Sequence, residues 1–127
     1  MRALLDTSIL IGEEEPAADI EAAISVASLA ELHFGVLVAA GDDERARRTQ
    51  RLGAIEATFQ PLPITVEVAR EWGRLAAAVQ SRGGKPRRRA VDLAIAATAN
   101  VHDVSLLTHN KSDFAIIDDL TDVRAVG

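Results

Sequence analysis

Four acids in this chain stand where a carboxylate can do chemistry. Asp6 ends the apolar run Ala3-Leu-Leu, and Glu31 closes Ser28-Leu-Ala-Glu. Asp92 is the only ionisable residue in Ala90-Val-Asp-Leu-Ala-Ile-Ala-Ala-Thr-Ala, and Asp113 lies in Thr108-His-Asn-Lys-Ser-Asp-Phe. Each also has a plain structural reading. Asp6 and Asp113 suit helix N-caps, because an Asp side chain accepts from the free amides of a first turn. Ser28 to Glu31 matches a capping box, in which the Glu bonds back to the cap amide. Asp92 needs a partner in so apolar a helix, since an unpaired buried charge is costly, and Arg87, Arg88 or Arg89 just before it would serve.

The joint pattern weighs more than any one member. Each acid lies at the end of an apolar element, or within the first helical turn after it, which points all four to one rim of a sheet. In parallel α/β sheets ligands collect outside the carboxyl ends of the strands. Carboxylate oxygens and waters are the ligands magnesium and manganese prefer, and like charges gathered together repel unless a cation joins them. The chemistry implied is that of a divalent ion held by carboxylates, which neutralises their charge and can lower the pKa of a water bound to it. His33, His102 and His109 have no zinc-ligand spacing and read as structural or surface residues, with His109 placed beside Asn110 to touch a substrate.

The elements that must carry these acids follow from apolar periodicity. Ala3 to Leu5 reads as a strand buried on both faces, with a short helix from about Thr7. Ala22 to Val26 reads as a second strand, and Ser28 starts a helix that stops near Gly41. Asp42 or Asp43 caps the next helix, which ends near Phe59. The prolines in Gln60 to Thr65 suggest an edge strand or an extended connection. Val68, Trp72, Leu75, Ala76 and Val79 recur at helical spacing over Val66 to Ser81, and Gly83-Gly84 ends that helix. A basic loop leads to a helix over Ala90 to Val101. Val104 to Leu107 is a strand, Lys111 to Leu120 holds a short helix, and Val123 to Val126 is a last strand. Short apolar runs alternating with longer helical ones define an α/β sandwich.

Asp6-Thr-Ser-Ile-Leu-Ile, Ser28-Leu-Ala-Glu31-Leu with Gly35, Asp92-Leu-Ala-Ile-Ala-Ala and Leu107-Thr-His-Asn-Lys-Ser-Asp113-Phe resemble the motifs of PIN-domain ribonucleases, in the same order and over nearly the whole chain. Within that family the resemblance is to the VapC-like toxins. It implies a PIN-like three-layer sandwich, a central and mostly parallel sheet flanked by helices, and an endoribonuclease that depends on Mg2+ (or Mn2+). The acidic ligands would be Asp6, Glu31, Asp92 and Asp113, with Thr7, Ser8, Thr108 and Asn110 as supporting polar residues. It further implies RNA as substrate, a cognate VapB-like antitoxin and a homodimer. The stretch between Asp6 and Glu31 is shorter than the subgroup leads one to expect. Asn110 stands where some relatives offer another acid.

Composition bounds the rest. With 127 residues the expectation is a single domain over 1–127, built with 48% hydrophobic but only 3% aromatic residues, so Ala, Leu, Ile and Val make the core. The absence of cysteine excludes disulfides and thiol chemistry and suits a reducing compartment. Asp6 and Glu13 to Glu15 interrupt the N-terminal apolar run, so neither a signal peptide nor a membrane span is expected, and the location read is cytoplasmic. A net charge of −5 runs against nucleic-acid binding. The cations, however, are clustered: Arg45, Arg47, Arg48 and Arg51 in one stretch, Arg82, Lys85, Arg87, Arg88 and Arg89 in another. Arg87 to Arg89 are candidates to hold RNA phosphates. Leu32, Phe34, Val36, Leu37 and Val38 form an apolar run wide enough to leave a surface for a partner protein. Two rival classes remain. A phospho-receiver module would need a phospho-accepting Asp near mid-chain, and Leu52-Gly-Ala-Ile-Glu-Ala offers none. A PIN-like binding module without catalysis is opposed by the intact four acids.

Overall fold

Ala3, Leu4 and Leu5 carry no polar side chain that could face water, and the fold covers them on both sides. The computed structural model describes residues 1–12 and 16–126. Its sheet has four strands, β1 (Arg2–Leu5), β2 (Glu21–Ala23), β3 (Ser105–Thr108) and β4 (Val123–Ala125), in the order β2-β1-β3-β4. Every pairing is parallel, with Leu4 beside Leu106 and Leu5 beside Leu107. Strands β1 and β3 are central and buried along nearly their whole length, whereas β2 and β4 carry exposed residues, as edges should.

Five helices join the strands: α1 (Thr7–Leu10), α2 (Val26–Leu37), α3 (Asp42–Thr58), α4 (Val66–Ser81) and α5 (Ala90–Val101), with 3-10 turns at Pro86–Arg89 and Lys111–Ile117. Alternate residues of a strand face opposite layers. Leu4 and Leu106 pack with Val68, Leu75 and Val79 of α4, Leu93 and Ile95 of α5, and Phe114. Ala3, Leu5 and Leu107 pack on the other side with Ile9, Leu32 of α2, and Leu52 and Ile55 of α3. The result is the three-layer sandwich expected, with a sheet that is parallel throughout. Among the described residues no helix is long and apolar enough to cross a membrane.

Several boundaries differ from the sequence reading, each for a local reason. Helix α2 starts at Val26, because Ser25 is its N-cap and its Oγ accepts from the Ala27 amide at 3.0 Å. Ser28, read as the cap, is fully buried inside the helix. The second strand therefore stops at Ala23, and Ser25 keeps only a single bridge to Leu62 in the proline-rich connection, with Leu62 N–H donating to Ile24 O at 2.8 Å. Helix α3 is capped by Gly41 at φ 88, a left-handed backbone that favours glycine, which puts Asp42, Asp43 and Glu44 in the first turn where they complement the helix dipole. Strand β3 is shifted one residue on, so Thr108 is its last residue. The segment after it closes as a 3-10 turn ending at Ile117. Ser25→Ala removes the cap of α2, so the protein is expected to lose about 1 kcal/mol of stability; an unchanged urea midpoint would show that Ser25 does not cap this helix.

Candidate active site

The strand order places β1 and β3 side by side although β1 continues to β2 and only returns to β3 after four more helices. Their carboxyl ends thus form the point where the chain reverses its direction across the sheet, the place where ligands of parallel α/β sheets collect. The Asp6 amide donates to Leu107 O at 2.9 Å, which carries the β1–β3 ladder one residue further and holds Asp6 against the end of β3.

Asp6 is buried. It precedes α1, but its side chain makes no cap hydrogen bond. Its Oδ2 accepts instead from the hydroxyls of Ser8 and Thr108, each at 2.8 Å. Ser8 Oγ also accepts from the His109 amide at 3.0 Å, and Thr108 Oγ1 from the Asn110 amide at 2.9 Å. Two hydroxyls thus fix the carboxylate of Asp6 while the loop after β3 fixes the hydroxyls. Asn110 joins this network through its backbone rather than through the side chain that the sequence singled out.

Glu31 lies in the second turn of α2 and its Oε1 accepts from the Thr7 hydroxyl at 2.5 Å. Thr7 Oγ1 is also 3.0 Å from Ser28 Oγ. Ser28 is a contact the sequence reading missed, because its spacing to Glu31 fitted a capping box. The true cap at Ser25 frees both side chains for the rim. Asp113 is in the first turn of its 3-10 segment behind Asn110, with no cap bond of its own, and is exposed.

Asp92 sits in the first turn of α5, where neither Arg87, Arg88 nor Arg89 forms an ion pair with it among the described residues. Its pKa is pushed up to about 6, first by burial and then by the charges of Asp6, Glu31 and Asp113, with Arg89 opposing weakly. Those three causes show that all four acids share one electrostatic field. Arg89 turns to the backbone and donates to the Asp113 carbonyl, tying the 3-10 segment to the start of α5. Arg87 and Arg88 are exposed. The histidine rings make no hydrogen bond to these acids among the described residues. His33 faces Glu56 at 3.5 Å, His102 buries an unpartnered Nε2, and the His109 ring meets Val126 O at 3.2 Å.

An all-oxygen donor set with no cationic side chain paired to it suits a hard divalent ion. No three His, Cys, Asp or Glu side chains among the described residues are gathered closely enough to enclose an ion as they stand. Magnesium does not require such an enclosing cluster, since it keeps several waters and takes few protein ligands directly.

A parallel three-layer sandwich with acids converging at its strand ends defines a class of carboxylate-rimmed α/β proteins. The family model of the PIN domain matches residues 3–120, and the chain belongs to the PIN-domain family. It is similar to ribonuclease VapC4 of Mycobacterium tuberculosis, 37% identical over 125 residues that cover 94% of this chain and 93% of that protein. Ribonuclease VapC5 of the same organism is 36% identical, over 97% of this chain and 93% of its own length. Among solved structures, the toxin-antitoxin system member VapBC-5 from M. tuberculosis matches with a TM-score of 0.83 and 35% identity, over 98% of this chain and 97% of that one. VapBC2 from Rickettsia felis, bound to a fragment of promoter DNA, shares the fold, with a TM-score of 0.77 at 21% identity and full coverage of both chains.

The raised pKa of Asp92 has a definite sign. The folded protein holds this proton more tightly than the unfolded chain, so the associated stability is complete below the ordinary value of 3.8 and is lost as pH rises through about 6. In chelator, Asp92→Asn is expected to be more stable than the wild type at pH 7.5 by about 1–3 kcal/mol, the upper figure being reduced by solvent at the open rim. Melting curves at pH 7.5 and below pH 4 check this, because the gap has to close at the acid end.

Proposed function

We propose that this protein is a divalent-metal-dependent endoribonuclease and the toxin of a toxin-antitoxin pair, with residues 1–127 working as one nuclease domain. The observation that carries the proposal is the rim itself, where burial and three neighbouring acids push the Asp92 pKa up, Arg89 opposes them only at a distance, and no basic side chain among the described residues forms an ion pair with Asp92. The ribonuclease names of the relatives support the same activity.

Asp6, Glu31, Asp92 and Asp113 would hold magnesium or manganese, which when bound supplies charge neutralisation at the phosphate and a more acidic water. The chain's own groups prepare that site. Ser8 and Thr108 fix Oδ2 of Asp6, and no donor among the described residues occupies Oδ1. Thr7 orients Glu31. Arg87 and Arg88 hold backbone phosphates of the RNA beside the rim, while Arg89 chiefly keeps Asp113 in place. A PIN-like module without catalysis would have no use for four acids kept at this electrostatic cost.

The partner we assign is a VapB-like antitoxin, in keeping with the VapBC assemblies among the structural relatives. The apolar run of α2 divides in the fold. Leu32 is buried in the core, whereas Phe34, Leu37 and Val38 are 65%, 76% and 55% exposed and form the surface a partner would cover. A basic side chain of the partner entering the acid rim would then pair with carboxylates and exclude the ion. The toxin itself is assigned as a homodimer that acts in the cytoplasm.

The purified protein should cut single-stranded RNA with magnesium or manganese and stop in EDTA. Asp6→Asn and Asp92→Asn should each lower the rate by about 100-fold or more while keeping a folded far-UV spectrum. Near wild-type cutting by either variant would remove that residue from the site, and metal-independent cutting would overturn the cofactor assignment. Wild-type melting temperature should also rise with added manganese, and Asp92→Asn should respond less.

A further inference from the structure

Three of the four arginines on α3 are engaged by carboxylates. Arg45 lies 3.9 Å from Asp42, and Arg47 and Arg48 both pair with Glu44. Arg48 also donates to Gly35 O at 2.6 Å, which locks it between α2 and α3. Arg51 has no carboxylate partner among the described residues. It lines a cleft of about 360 Å³ whose wall includes Thr7, Glu31, Glu44 and Arg48. Thr7 and Glu31 are the bonded pair that makes one side of the acid rim. The cleft therefore leads directly off the candidate site.

Its position in the layers matters. Helix α3 packs with Leu5 and Leu107 on one face of the sheet, and α4 and α5 pack with Leu4 and Leu106 on the other. Arg51 and the exposed pair Arg87 and Arg88 thus belong to opposite layers, with the acid rim at the sheet between them. A phosphodiester inside a chain has charged phosphates on both sides, and one at a chain end has them on one side only. Resting on the nuclease reading above, we propose that the cleft beside Glu31 is a phosphate subsite for an RNA strand that continues past the point of cleavage, with Arg51 as its phosphate-holding residue. Guanidinium forks match phosphate oxygens two by two, and the fixed Arg48–Glu44 pair shapes the wall without adding net charge.

The test uses a single-stranded RNA oligonucleotide that the wild type cuts. Arg51→Ala should raise KM about fivefold to tenfold with kcat within about twofold. In an Asp6→Asn background the slope of log binding constant against log salt should become shallower by about 0.7, the value for one lost contact to a single strand. Arg51→Lys should keep the slope. Arg51→Gln, which retains most of the packing, should behave as Arg51→Ala. Arg45→Ala, on the same helix but paired with Asp42, should leave both measures unchanged. An unaltered KM and salt slope in both neutral Arg51 variants overturns the subsite, as does an equal loss in Arg45→Ala, which would reduce the effect to net charge. Absence of RNA cutting by the wild type would overturn the nuclease reading, and the subsite with it, before any arginine is varied.

Discussion

The pairing of β1 with β3 is the contact on which the rest of this molecule depends. Leu5 lies beside Leu107, and the next amide, that of Asp6, still finds Leu107 O. A parallel pair cannot be joined by a tight turn, so the intervening chain has to travel over the faces of the sheet in helices. Every helix that follows a strand begins at the carboxyl end. A helix that leads into a strand begins there too, because it runs back along the sheet. Helix α5 precedes β3, and its first turn with Asp92 therefore arrives at the same rim as Asp6. Glu31 comes near the start of α2 after β2, and Asp113 at the start of the turn after β3. One strand pairing and the geometry of parallel crossovers together account for four acids from four distant stretches of chain.

Bringing them together works against the stability of the fold. The first turn of α5 sets a carboxyl in an apolar helix that shares its field with three other acids, and burial and their charges push its pKa up. The protein meets this with hydroxyls rather than with cations. Ser8, Thr108 and Thr7 donate to the acids while adding no charge of their own. Arginines, which would relieve the repulsion most, are occupied elsewhere: Arg89 on a backbone carbonyl, Arg47 and Arg48 on Glu44. Among the described residues no cationic side chain is paired with the acids of the rim.

Much of this was legible in the sequence. The apolar runs marked the central strands, the 3.6-residue spacing marked α4, and an acid in so apolar a helix as α5 asked for an explanation beyond solvation. What could not be read was which of two local partners a polar side chain takes. Ser28 and Ser25 both precede the same apolar helix, and only burial decides that one caps it and the other faces Thr7. Asn110 belonged to the right loop, but its amide rather than its side chain enters the network. Arg89 shares its loop with Arg87 and Arg88, and only the fold shows that it reaches the Asp113 carbonyl. Arg51 stood out only as one of a basic cluster, since its distinction from Arg45, Arg47 and Arg48 is a matter of which carboxylates the other three have found. In each case the residue type was informative and the choice of partner was tertiary.

The distance in sequence between Leu5 and Leu107 also sets the order in which the molecule can be completed during synthesis. Strand β1 has its local neighbour β2 within the first 23 residues. The hydroxyl of Thr108 reaches Asp6 only after more than a hundred residues have been made, and Asp113 comes later still. Contacts so far apart along the chain close late, since their loop entropy has to be met before they stabilise anything. A growing polypeptide on the ribosome, surrounded by RNA, thus carries Asp6 and Glu31 without the other half of the rim until Asp92 and Asp113 have been added. The topology that gathers the acids also postpones their assembly until the stretch that carries Asp113 has been made.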